Sequence, residues 1–89
     1  MIYYEEKIEK SLNKKDLPKK VFKLFNDAFI ALDITNNLKL FDIKKLKGLN
    51  EREYYRLRKG KYRAIFYIEN NDYYIIKILK REEVYKRWV

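Results

Sequence analysis

The feature that most constrains this chain is a change of hydrophobic period near residue 36. Before it, large apolar residues recur every three to four positions; after it, they alternate every second position. A chain that runs helices first and strands afterwards folds with the helices gathered on one side of a sheet, an α+β two-layer domain. At 89 residues there is interior for one domain, spanning 1–89, and not for two.

In the helical half, Tyr4, Ile8 and Leu12 fall on one face and predict a first helix from about Glu5 to Lys15. Asp16-Leu17-Pro18 interrupts it, and Pro18 suits the first turn of a second helix running to about Leu32. Val21, Phe22, Phe25, Ala28, Phe29 and Leu32 form the apolar stripe of that helix, with Lys19, Lys20, Lys23 and Asp27 in solvent. An aromatic stripe at this spacing is core. Two antiparallel helices joined at 16–18 make a hairpin that needs a surface to cover. Residues 33–37 read as helix exit and loop, and residues 1–4 leave room for a short N-terminal strand.

The strand half reads Tyr54–Arg58, Lys61–Glu69 and Tyr73–Lys80, separated by Lys59-Gly60 and by Asn70-Asn71-Asp72, a three-stranded antiparallel meander. A two-residue loop at Lys59-Gly60 sets Arg56 opposite Arg63. Tyr55, Leu57, Tyr62, Ala64, Phe66 and Ile68 then face the helices. Tyr54, Arg56, Arg58, Lys61, Arg63, Ile65 and Tyr67 face outward. A three-residue turn at 70–72 places Ile68 against Tyr74, Ala64 against Ile78 and Arg63 against Leu79. Tyr74, Ile76 and Ile78 then point inward and the odd positions around Lys77 outward, with Arg81 just beyond, near Lys61. A short C-terminal helix over 82–88 would dock through Val84 and Trp88 and aim Tyr85 at the arginines.

Charge is concentrated where this geometry gathers it. Between Lys44 and Arg63 there are nine Lys/Arg against two Glu, whereas the whole chain carries +9. That density is the footprint of a polyanion, nucleic acid first. The alternative is a basic face that is simply solvated. Like charges directly across a strand pair repel; a site that must grip phosphate needs them.

The residues also exclude chemistry. There is no His and no Cys, so the commonest zinc ligands, the usual general base and the thiol nucleophile are missing. Ser11 and Thr35 are the only hydroxyls besides tyrosine, with no base near either in sequence, which argues against a serine hydrolase. No metal or other cofactor is expected. No apolar run is long enough to span a bilayer, and the N-terminus lacks the apolar core of a signal peptide, so the expected location is cytoplasmic. Arginines pair with phosphate and stabilise charge building on it; tyrosine offers a stacking ring and a hydroxyl. RNA carries its own nucleophile, the 2′-hydroxyl. These residues by themselves do not separate cleavage of RNA from binding to it.

Leu46-Lys-Gly, then Tyr55-Arg-Leu-Arg-Lys-Gly-Lys-Tyr-Arg63, then Lys80-Arg-Glu-Glu-Val-Tyr85, in that order and spacing, resembles the RelE/ParE toxin superfamily, and within it the RelE-type mRNA interferases of toxin–antitoxin pairs. The resemblance covers about residues 8–89; the first strand of typical members is shortened here to residues 1–4. It implies a RelE-like fold and metal-independent cleavage of mRNA in the ribosomal A site through 2′-hydroxyl attack. It also implies neutralisation by a RelB-like antitoxin. Arg63 falls where the family stabilises phosphate, and Arg81 and Tyr85 fall at its C-terminal Arg and Tyr, which hold leaving-group and orienting roles. The family often carries two lysines on the second strand, one of them the general base. Here Tyr54 and Arg56 stand in those positions, and a guanidinium is a poor base. Lys45, Lys47 and Tyr54 are the candidates left for that role. With Arg56 joining the catalytic set, Lys45, Lys47, Tyr54, Arg58 and Lys61 form the expected RNA-binding surface. The alternatives are a ParE-like toxin acting on gyrase and a non-catalytic protein that binds RNA or the ribosome.

Overall fold

The computed structural model describes residues 1–46 and 52–82. In chain order these form β1 (Ile2–Tyr4), α1 (Glu6–Asn13), α2 (Lys19–Thr35), a single 3-10 turn (Leu38–Leu40), β2 (Ile43–Leu46), β3 (Tyr54–Lys59), β4 (Tyr62–Glu69) and β5 (Asp72–Lys80). The α+β reading holds, with a larger sheet than the meander alone. Five strands lie in the order β1-β5-β4-β3-β2. β1 joins β5 in parallel, so the sheet is mixed, and β2, which the sequence did not announce, pairs antiparallel with β3 at the other edge. Arg81 and Glu82 have already turned into helical backbone. The rest of the expected C-terminal helix, with Val84, Tyr85 and Trp88, lies outside the described residues, as does Lys47.

Both helices cover one face of the sheet. Phe25, Phe29 and Leu32 of α2 are fully buried with Leu57, Ala64, Phe66 and Ile75, and Ile8 of α1 and Leu17 of the connection join them. Phe29 meets Phe66 edge to face at 5.1 Å, and Tyr55 stacks on Phe66 across the strands at 5.5 Å. Each fully buried side chain of this size contributes about 1.5–3 kcal/mol. α2 continues one turn past Leu32, because Asn36 accepts the left-handed conformation (φ 53°) and its N–H bonds back to the Leu32 carbonyl at 2.7 Å. Tyr73 reaches this helix end from β5. Its buried hydroxyl lies 3.2 Å from the Leu32 carbonyl and 3.1 Å from Asn36 Oδ1.

The two hairpins correct the expected registers, each for a reason of turn chemistry. At the first, the loop is Gly60-Lys61 rather than Lys59-Gly60. Only Gly60 of the two has positive φ (58°), as in type II′ turns, where glycine takes the first central position. Lys59 therefore pairs with Tyr62, and Arg63 stands opposite Arg58; Arg56 faces Ile65 instead. At the second, Asn70 and Asn71 both have positive φ (52° and 65°), the signature of a two-residue type I′ turn, so Glu69 pairs with Asp72. That flips the first half of β5: Tyr73 and Ile75 are buried under the helices and Tyr74 is outside. A bulge at Ile76 then resets the register, and Ala64↔Ile78 and Arg63↔Leu79 follow as expected.

Candidate nucleic-acid interface

The face of the sheet turned away from the helices is built in rows across the strands. Directly paired residues share a face, and successive rows are two residues, about 6.5–7 Å, apart along the strands. One row holds Leu46, Tyr54, Tyr67, Tyr74 and Tyr3. The next holds Lys44, Arg56, Ile65 and Lys77, and the third holds Arg58, Arg63 and Leu79. Beyond them the Arg81 amide donates to the Lys61 carbonyl at 2.9 Å, which brings both chain positions to the same end of the sheet. On β3 and β4 sequence parity thus put the expected side chains on this face, while the first half of β5 is inverted. The structure changes which of them are neighbours.

Arg63 is not an exposed grip. It is 5% exposed, and its Nη1 donates to the Gly60 carbonyl at 2.8 Å and the Tyr62 carbonyl at 2.9 Å. It fastens the β3–β4 turn and places a fixed positive charge under the face. Arg58, opposite it, is exposed. Arg56 and Arg58 share Asp42, whose two carboxylate oxygens lie 3.6 Å from Arg56 Nη2 and 3.7 Å from Arg58 Nη1. Asp42 is held there by its position just before β2, where its carbonyl accepts from the Arg58 N–H at 3.0 Å. Both ion pairs are longer than the 2.7–2.9 Å of a charge-assisted hydrogen bond, so they are charge contacts that an anion of better geometry can replace.

Lys61 lies exposed in the Gly60-Lys61 turn. Tyr54 stands edge-on to Tyr67 at 6.0 Å on the arginine face. Lys45 does not join them. Paired with Tyr55, it belongs to the helix side of the sheet, where Nζ contacts Glu53 Oε1 at 2.7 Å, and that contact holds its ammonium above the usual lysine pKa. Lys44 takes the outward position instead. Lys77 is outward as the sequence parity expected. Asp42, Lys44, Tyr3, Tyr74 and Arg52 were not singled out from sequence; the pairing of β1 and β2 and the two-residue turn at Asn70-Asn71 bring the first four to this face. Among the described residues no group of three or more acidic side chains is placed to hold a metal ion, and no helix is long and apolar enough to cross a membrane.

No family model matches the chain. A curated protein of Methanocaldococcus jannaschii named "Putative toxin RelE1" is 42% identical over 76 residues, covering 81% of each chain. Among solved structures, a RelB-RelE antitoxin-toxin complex from Methanococcus jannaschii contains a chain that superposes with a TM-score of 0.72 at 27% identity, covering 94% of this chain and 95% of that one. An archaeal RelE-RelB complex from Pyrococcus horikoshii gives 0.70 at 26% identity, over 90% and 92%. At that identity and coverage, on a shared fold, the chain belongs to the RelE toxin family.

Proposed function

We propose that this chain is the toxin of a type II toxin–antitoxin pair and an endoribonuclease that cuts mRNA on the ribosome. The RNA 2′-hydroxyl attacks the adjacent phosphorus, the bond to the 5′-oxygen breaks, and a cyclic phosphate and a 5′-hydroxyl result. The observation that carries this reading is the gathering of Arg56, Arg58 and Arg63 on the sheet face turned away from the helices, with Lys61 and Arg81 at its end. Exposed Arg58, Lys61 and Arg81 supply contacts to phosphate oxygens. Arg63, held by two carbonyls, supplies a charge that needs no reorganisation as the phosphate becomes more negative. Arg56 stands one row away and orients the strand. The chemistry asks for charge stabilisation and alignment, which guanidinium groups provide without a metal. Membership of the RelE family, and solved relatives captured with RelB, support a RelB-like antitoxin as the neutralising partner.

The test is incubation with programmed ribosomes and mapping of cuts by primer extension. Discrete A-site cuts are expected from the wild type, lost in Arg58→Ala and Arg81→Ala with unchanged circular dichroism. RNA binding without a cut product leaves a binding module and refutes the enzyme; inhibition of gyrase without cleavage moves the chain to the ParE branch.

A further inference from the structure

Next to the arginine rows, the tyrosine row forms a continuous ladder. Tyr3 and Tyr74 stack at 4.9 Å and 17°, and Tyr74 and Tyr67 stack at 4.9 Å and 9°. The Arg52 guanidinium lies 4.0 Å over the Tyr67 ring. These rings are not core. They lie on the side of the sheet opposite the helices, and Tyr3, on edge strand β1, is 40% exposed. They line a cavity of about 460 Å³ together with Tyr54, Arg52 and Lys77, within the range of sites that hold a small ligand or a nucleotide.

We infer that this cavity is a base-binding subsite for single-stranded RNA, continuous with the phosphate-binding rows and therefore resting on the function proposed above. Three features favour RNA over other occupants. The walls are aromatic on a face otherwise rich in cations, the combination that holds unpaired bases by stacking and their backbone by charge. The lining carries two cations, Arg52 and Lys77, against one carboxylate, Glu5. The row lies a single step of about 6.5–7 Å from Arg56 and Lys77 along the strands, so one strand of nucleic acid reaches both. Stacking fixes the rings before the ligand arrives, which limits the ordering cost of binding. Tyr3 ends the ladder and serves as its outer platform.

The experiment measures binding of a short uridine oligoribonucleotide and of inorganic polyphosphate to the full chain, with ribosomal cleavage assayed in parallel. Tyr3→Ala weakens the oligonucleotide by about 5- to 150-fold, the range for one stacked base, leaves polyphosphate unchanged, and leaves the salt slope of binding unchanged because no charge is lost. Tyr3→Trp binds as tightly as wild type or tighter. Arg52→Ala lowers the slope by about 0.7. If cleavage proceeds but Tyr3→Ala binds both probes like the wild type, the subsite is overturned while the ribonuclease reading stands. Equal weakening toward both probes also overturns it, since the row then acts on charge or folding. A wild type that binds neither probe and cuts nothing overturns both readings.

Discussion

Replacement of Asp42 by Asn should lower stability and raise affinity for RNA, two effects of opposite sign from one side chain. Asp42 contacts Arg56 at 3.6 Å and Arg58 at 3.7 Å. Asp42 and Arg58 are about half exposed, so their pair is screened, whereas the Arg56 side chain is only 15% exposed and its pair is the stronger. Exposed ion pairs contribute about 0.2–1 kcal/mol each, so the two together give about 0.5–2 kcal/mol. In a domain of this size that corresponds to a fall in Tm of roughly 2–16 °C, using about 4–8 °C per kcal/mol.

A phosphate that takes up Arg56 and Arg58 must first displace Asp42. Without the carboxylate that competition disappears, and the same 0.5–2 kcal/mol returns as about 2- to 30-fold tighter binding. The assays are thermal unfolding and titration with the uridine oligoribonucleotide at fixed salt. Glu53→Gln is the control, since Glu53 pairs with Lys45 on the other side of the sheet and should leave RNA affinity nearly unchanged. Unchanged or weaker RNA binding by Asp42→Asn would show that Arg56 and Arg58 do not meet phosphate.

Tyr73→Phe removes a buried hydroxyl from the end of α2 and should cost about 1 kcal/mol in denaturant unfolding, with no loss of RNA binding. Gly60→Ala should cost about 1–2 kcal/mol in the same measurement. Nothing lies within 4 Å of the added Cβ, so the penalty is that of φ 58° alone and the hairpin register should survive, as cross-strand nuclear Overhauser contacts would report. Burial holds the phenols of Tyr4, Tyr73 and Tyr74 above the ordinary tyrosine value, with Asp27, Asp33 and Asp72 respectively adding to it. A raised folded pKa stabilises fully below the unfolded value and is lost as pH climbs through the folded one. Stability should therefore fall above about pH 10, and the phenolate absorbance of the folded protein should lag that of the denatured chain; superimposed curves would refute it.

The helices were legible because their apolar stripes are long and their stops are chemical: Pro18 opens α2, and the misses were at the ends, α1 stopping at Asn13 and α2 running on to Thr35. The strand faces were legible for a subtler reason. Sliding a two-residue loop from Lys59-Gly60 to Gly60-Lys61 moves each partner by two residues. Every side chain therefore stays on its face, and Arg63 merely exchanges Arg56 for Arg58. The 70–72 turn had no such tolerance. Shortening it by one residue moves each partner by one, which inverts the face. β5 gives no alternation that would betray the error, since Tyr73 to Leu79 is apolar on both parities except at Lys77.

β1 falls within the 1–4 stretch expected as a short strand, but its pairing, and the whole of β2, were carried by no local pattern. β2 is four residues long, with two lysines in the middle. It exists because β3 offers unpaired backbone groups, and no propensity of its own announces it. β1 pairs with β5 across nearly the whole chain. These edges complete the outer face: β2 adds Lys44 and its approach adds Asp42, while β1 adds Tyr3. Arg58 opposite Arg63 costs a sheet stability, since like charges directly opposed repel. Asp42 offsets part of that cost on one side, and the Gly60 and Tyr62 carbonyls absorb part on the other. Both compensations hold the arginines in place, and Asp42 does so through long contacts that an incoming phosphate can replace. A face selected only to cover a core would have put Thr or Val at these positions; this one keeps its charges together and tethers them lightly.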